Sequence, residues 1–136
     1  MALRREIVRL VEQRANGRCE YCLMHHSLQG ATFHVEHITP SSIGGSSEDW
    51  NLAWCCPSCN LHKSNKTEAT DPQSGSAVSL FNPRLERWKD HFSWDKYEMI
   101  GRTPCGRATV AALQLNHPRR ILIRQAEEMF NLYPPR

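Results

Sequence analysis

The chain has 136 residues, 40% of them hydrophobic and 23% charged, with a formal net charge of +3. That length suits one domain or one small core with an appendage, and the modest apolar content calls for support beyond hydrophobic burial. No apolar run approaches the roughly 20 residues needed to cross a bilayer. The N-terminal residues are amphipathic, unlike a signal-peptide core, so the expected setting is soluble and cytoplasmic.

Leu3, Ile7, Leu10 and Val11 recur at helical spacing and predict an N-terminal helix, stopped at Asn16-Gly17, where both residues tolerate the left-handed conformation. Cys19-Glu20-Tyr21-Cys22 follows as a tight knuckle. Thr32 to Ile38 reads as a strand ended by Pro40, and Ser41 to Asp49 as a Gly- and Ser-rich loop. Asn51 to Cys55 is a short apolar segment able to pair back as a hairpin strand. Pro57 suits a first helical turn and opens a helix to about Lys66. Thr67 to Ala77 reads as a polar surface linker, and Leu80 to Ile100 as an aromatic-rich irregular pair of strands. Thr103-Pro104 caps a helix to about Leu115. Asn116-His117-Pro118 starts a last helix with Leu122, Ala126, Met129 and Phe130 on one face. Between Met99 and Ala126 there are five arginines and no acid. The stretch suits a polyanion partner, although a solvated helical face explains the charge more simply.

In a reducing compartment the six cysteines argue for metal or chemistry over disulfides. Cys19-x-x-Cys22 and Cys56-Pro-Ser-Cys59 have the spacing of two pairs sharing one tetrahedral, structural Zn²⁺. Cys55 competes with Cys56 for the second pair. Cys105 has no partner and reads as a small buried residue. Between the pairs lie 33 residues, Leu23 to Cys55. A zinc ribbon needs about 15–20 there, so this insertion is where a function would reside.

Inside that insertion run His34-Val35-Glu36-His37-Ile38-Thr39-Pro40, then Gly44-Gly45, then Asn51-Leu52, and after it Cys59-Asn60-Leu61-His62-Lys63. From Cys19 to about Lys66 this ordered set resembles the HNH endonuclease family, and the tail from Leu80 resembles a bacterial subgroup of it. The resemblance implies an α+β fold with a ββα-metal core, a four-cysteine zinc staple, an N-terminal helix and a C-terminal helical extension. The division expected is residues 1–70 as core and 71–136 as linker and packed extension. It further implies hydrolysis of phosphodiester bonds in DNA, most simply duplex, leaving 5′-phosphate and 3′-hydroxyl ends. His37 takes the place of the general base and Asn51 that of the residue fixing the loop that orients it. Glu36 and Asn60 take the places of ligands to a catalytic Mg²⁺ or Mn²⁺. A free imidazole titrates near pH 6.5, so it can accept a proton at neutral pH, and oxygen donors suit hard cations.

Lys63 and Lys66, beyond Asn60, are candidate phosphate contacts. His62 ranks below Asn60 as a ligand but is a candidate substrate contact. His34 shares strand parity with Glu36 and is a candidate ligand or phosphate contact. His25, His26, His91 and His117 read as loop or surface residues, and most of the tryptophans as core. The alternative to an enzyme is a non-catalytic zinc module that binds nucleic acid.

Overall fold

The computed structural model describes residues 3–135. Helices alternate with three two-stranded antiparallel sheets. Helix α1 (Arg5–Ala15) buries Ile7, Val11 and Ala15 and ends at Asn16, which adopts the left-handed conformation. Leu10 lies on its exposed side. Strands β1 (His34–His37) and β2 (Leu52–Cys55) form a hairpin pairing His37 with Leu52 and His34 with Cys55. Helix α2 (Pro57–Lys63) follows at once, with Pro57 in its first turn and Cys56 as its N-cap. It stops three residues earlier than expected because Ser64 takes a positive φ of 49°.

The segment expected to be a linker is ordered by one carboxylate. Strands β3 (Glu68–Thr70) and β4 (Ala77–Ser79) form a second hairpin. Between them the fully buried Asp71 accepts from the Gln73 amide and the Ser74 hydroxyl. Arg107 donates to both of its oxygens at 2.9 Å. The Asp71 carboxylate closes an Asx turn on the Gln73 amide, and its cationic partner comes from 36 residues along the chain.

The aromatic segment contains a short helix α3 (Trp88–His91) and a third hairpin, β5 (Phe92–Asp95) with β6 (Glu98–Gly101). Trp54 is buried and Trp88 and Trp94 are partly buried against the core, whereas Trp50 is exposed. Helix α4 (Pro104–Ala112) is capped by Thr103, whose hydroxyl accepts from the Gly106 amide.

The last helix, α5 (Pro118–Met129), inverts the expected orientation. Leu122, Met129 and Phe130 are 64%, 82% and 62% exposed, while Arg120, Arg124 and Glu127 are buried. These three lie at i, i+4 and i+7, one helical face, and each meets a polar group. Arg124 donates to the carbonyls of Leu115 and Tyr97, and Glu127 accepts from the His25 amide at 2.7 Å. The solvated face expected for the five arginines therefore forms only in part: Arg120 and Arg124 face inward and Arg107 pairs with Asp71, while Arg102 and Arg119 are exposed.

Residues 80–135 are tied to the first cysteine knuckle at several points. Arg84 pairs with Glu20, Trp88 Nε1 donates to the Tyr21 carbonyl, and Arg18 donates to the Leu132 carbonyl. Among the described residues no helix is long and apolar enough to cross a membrane.

The Arg107 guanidinium holds the Asp71 carboxyl well below the usual carboxylate range. A depressed carboxylate contributes stability above its unfolded pKa, about 3.9, and loses it as pH falls through the lower folded value. Asp71→Asn is thus expected to lower the melting temperature by a similar amount from pH 7 to about pH 5. The difference from wild type should shrink only below about pH 4, which thermal melts across that range measure.

Candidate functional site

Two knuckles converge at the centre of the molecule. In the first, the Leu23 amide donates to the Cys19 carbonyl and the Cys19 amide to the Met24 carbonyl, with Leu23 at φ 62°. In the second, Cys56 Sγ accepts from the Cys59 amide at the start of α2. The sulfurs of Cys19, Cys22, Cys56 and Cys59 lie within 4.8 Å of one another, all buried. Cys55 stands outside the four, its thiol turned to the Cys56 carbonyl, which decides between it and Cys56. Cys22 Sγ and Cys56 Sγ are 3.8 Å apart. An ion bonded at 2.3 Å to four tetrahedral sulfurs sets those sulfurs about 3.8 Å apart, so this donor set fits zinc. Arg120 donates to Cys59 Sγ at 3.4 Å and to Cys56 Sγ at 4.0 Å. A cation therefore faces the sulfur cluster from α5.

Above the knuckles, β1 ends at His37 and the chain turns back through Pro40. Asn51 closes this turn. Its Oδ1 accepts from the Thr39 amide at 2.9 Å, and its Nδ2 donates to the carbonyls of Thr39 and Ser46 at 3.0 and 2.8 Å. Gly45 is pressed against the same turn, where an added Cβ would stand 1.8 Å from the Thr39 carbonyl oxygen. Only a residue without a side chain fits there. Arg14 of α1 donates to the carbonyls of Asp49 and Leu52 at 2.6 Å and so holds Asn51 from behind. The loop thus folded delivers Ser47, whose hydroxyl lies 3.0 Å from His37 Nε2.

Consecutive strand residues leave on opposite faces, and Glu36 and His37 accordingly have different partners. Glu36 is buried; it accepts from the Tyr21 hydroxyl and lies 3.3 Å from Lys63 Nζ. Burial pushes its carboxyl upward, opposed by Lys63 and Tyr21, and burial beside Glu36 raises the Tyr21 hydroxyl. Lys63 is only 2% exposed and also donates to the Ile38 carbonyl at 2.9 Å. The expectation of Lys63 as a phosphate contact is corrected by this geometry: its charge is committed to Glu36 and the end of β1.

Asn60 lies one turn before Lys63, on the helix face that Lys63 directs to β1, and is half-buried. A carboxylate and an amide are oxygen donors of the kind Mg²⁺ or Mn²⁺ prefers. Each carboxylate oxygen can accept more than one partner, so the donor chemistry fits such a cation, with the Lys63 ammonium beside the same oxygen. A cavity of about 430 Å³ opens beside Thr39 and Lys63, walled by Leu80 and Phe81.

The remaining candidates lie elsewhere. His34 is exposed at the far end of β1 from His37. Lys66 is exposed and donates to the His62 carbonyl. His62 lines a separate cavity of about 360 Å³ with Ser58, His117, Arg119 and Arg120. Burial, with Arg120, Lys66 and His117 nearby, lowers its pKa. Tyr21, Ser47 and Arg120 are the site neighbours that sequence reasoning missed. Nothing distinguishes Ser47 from the other serines of its loop, whereas Tyr21 stands inside the first cysteine pair and invited attention there.

Residues 19–66 match the HNH endonuclease family model. Over this segment the chain is similar to HNH endonucleases. No curated protein and no solved structure matches the chain. The HNH segment opens at the first clustered cysteine and closes at Lys66. It encloses both knuckles, the Asn51 turn and the Glu36–Lys63 pair, while Arg120 reaches the sulfur cluster from outside it.

Breaking a buried ion pair by removing one partner typically costs about 3–5 kcal/mol. Lys63→Met is expected to destabilise on that scale in denaturant titrations, whereas the exposed Lys66→Met should change stability by less than about 0.5 kcal/mol. Loss of a group supporting metal ligands weakens affinity about 10–100-fold. Arg120→Met should weaken metal retention by the four cysteines on that scale, read as transfer to a competing chromogenic chelator.

Proposed function

We propose that this chain is a divalent-metal-dependent endonuclease that hydrolyses phosphodiester bonds in DNA, duplex DNA being the expected substrate. The observation that carries the reading is His37, held by Ser47 at the mouth of a turn that Asn51 clamps, within a segment matching the HNH family. The consecutive hairpin and helix β1, β2 and α2 support a ββα-metal core, and the sulfur spacing supports a structural Zn²⁺ on Cys19, Cys22, Cys56 and Cys59.

In this mechanism His37 donates from Nε2–H to Ser47, which leaves the Nδ1 lone pair to take a proton from the attacking water. Asn51 acts as a positioning residue: its three hydrogen bonds hold the turn that carries Ser47, and so the imidazole ring. Glu36 and Asn60 would hold the Mg²⁺ or Mn²⁺, which when bound neutralises charge developing on the scissile phosphate. Tyr21 and Lys63 fix the Glu36 carboxylate in one orientation. Lys66, His62 and His34, on accessible positions, contact the phosphate backbone, which sets register without reading sequence.

One observation favours the second reading, a non-catalytic nucleic-acid-binding module. Glu36 is enclosed by Tyr21 and Lys63, an arrangement that a purely structural buried ion pair also satisfies.

Nicking of supercoiled plasmid with and without Mg²⁺ or Mn²⁺ separates the two. Wild type is expected to nick only with added metal, and His37→Ala, checked for zinc content and folding, to lose about 10²–10⁴ in rate. Salt-sensitive DNA binding without any metal-dependent nicking by wild type would select the binding module. Nicking unchanged by His37→Ala would remove His37 from the role of base.

A further inference from the structure

Beyond the cavity that Glu86 lines together with Thr39 and Lys63, the chain gathers three side chains that the proposed nuclease chemistry does not use. Glu86 precedes α3, His91 is the last residue of α3, and Cys105 lies in the first turn of α4. A carboxylate oxygen, an imidazole nitrogen and the thiol lie within 4.8 Å of one another. His91 Nε2 is 3.0 Å from Glu86 Oε2.

Backbone packing forces this meeting. The Arg102 amide donates to the His91 carbonyl at 2.7 Å. An added Cβ at Gly106 would stand 2.2 Å from that same carbonyl oxygen, and one at Gly101 would stand 2.4 Å from the Arg107 amide nitrogen. Two positions without side chains thus let the start of α4 lie directly on the end of α3, which brings Cys105 to His91.

The surrounding hydrogen bonds suit a ligand set. Glu86 Oε1 accepts from the Asn82 amide at 2.9 Å, which fixes the carboxylate and leaves Oε2 facing the imidazole. His91 Nδ1 lies 2.6 Å from the Thr103 hydroxyl, itself anchored by the Gly106 amide at 3.0 Å. With Nδ1–H donating to that oxygen and an ion taking the place of the proton between Nε2 and Glu86 Oε2, Nε2 would present its lone pair, as in histidines that hold metals. All three residues are half-buried, so an ion can reach them from solvent.

We propose that Glu86, His91 and Cys105 form a second metal site, distinct from the four-cysteine cluster, that takes a borderline divalent ion of the zinc or cobalt type. One thiolate, one imidazole and one carboxylate match that class better than Mg²⁺ or Ca²⁺, which prefer oxygen donors alone. Tetrahedral bonds of 2.0–2.3 Å place such ligands about 3.3–3.6 Å apart. Side-chain rotation brings the present spacing, from 3.0 Å between Glu86 and His91 to at most 4.8 Å across the three atoms, into that range, with solvent completing the fourth position. Burial and Glu86 push the free Cys105 thiol up to about 11, so ion binding releases a proton from it at neutral pH. The site is independent of whether the chain cuts DNA.

The test counts ions on the full-length protein. Wild type and Cys105→Ser are loaded with excess zinc, desalted and weighed by native mass spectrometry. Wild type is expected to carry two zinc ions per chain and Cys105→Ser one, with Glu86→Gln as a second variant expected to lose the same ion. In a parallel cobalt titration, wild type should show a further thiolate-to-cobalt absorption after the four-cysteine site has filled, and Cys105→Ser should not. Proton release accompanying that second event should disappear with it. One ion per chain in wild type, with cobalt spectra that superimpose on those of Cys105→Ser, overturns the proposal.

Discussion

Four cysteine sulfurs, drawn from knuckles more than thirty residues apart and all buried, are the constraint on which the remaining geometry hangs. With thiolates holding an ion, such a cluster would carry negative charge into a place without water, where an uncompensated charge is costly. The cation facing it is Arg120, 101 residues along the chain from the first cysteine. That requirement explains why α5 turns its charged face inward and leaves Leu122, Met129 and Phe130 outside. Once Arg120 faces the sulfurs, helical periodicity brings Arg124 and Glu127 inward too, and they find loop carbonyls and the His25 amide.

The second organising device is the turn closed by Asn51, built entirely from neutral hydrogen bonds and one close backbone contact at Gly45. Arg14 ties it to α1 and Ser47 ties it to His37. The Glu36–Lys63 pair, on the opposite face of β1, ties the same strand to α2. The hairpin end is thus gripped from both sides, the kind of rigidity that positioned catalytic groups require.

Much of this was legible from local pattern. The N-terminal helix, the hairpin, the Pro57 and Pro104 helix starts and the Thr103 cap each depend on residues close in sequence, and each appears where spacing places it within a few positions. The ordered run from Cys19 to Lys66 carries the resemblance to the family whose model matches residues 19–66. The misreadings share one cause. Local pattern places Asp71, Arg120 and Arg124 on polar or solvated surface and Lys63 among the phosphate contacts, and each is buried against a partner remote in the chain. The apolar face expected of α5 failed for the same reason.

The sequence by itself determined the cysteine spacing, the position of His37 at a strand end, the Asn51 that can close a turn, and the start of each helix. These follow from backbone preferences and short-range periodicity, which act over a few residues. Only the tertiary structure decided that Cys56 and not Cys55 joins the cluster, that Ser47 reaches His37, that Glu36 is enclosed with Lys63, and that Glu86, His91 and Cys105 meet. Whether a charge is solvated or buried depends on what stands opposite it. That is set by packing between distant segments, to which local pattern is blind.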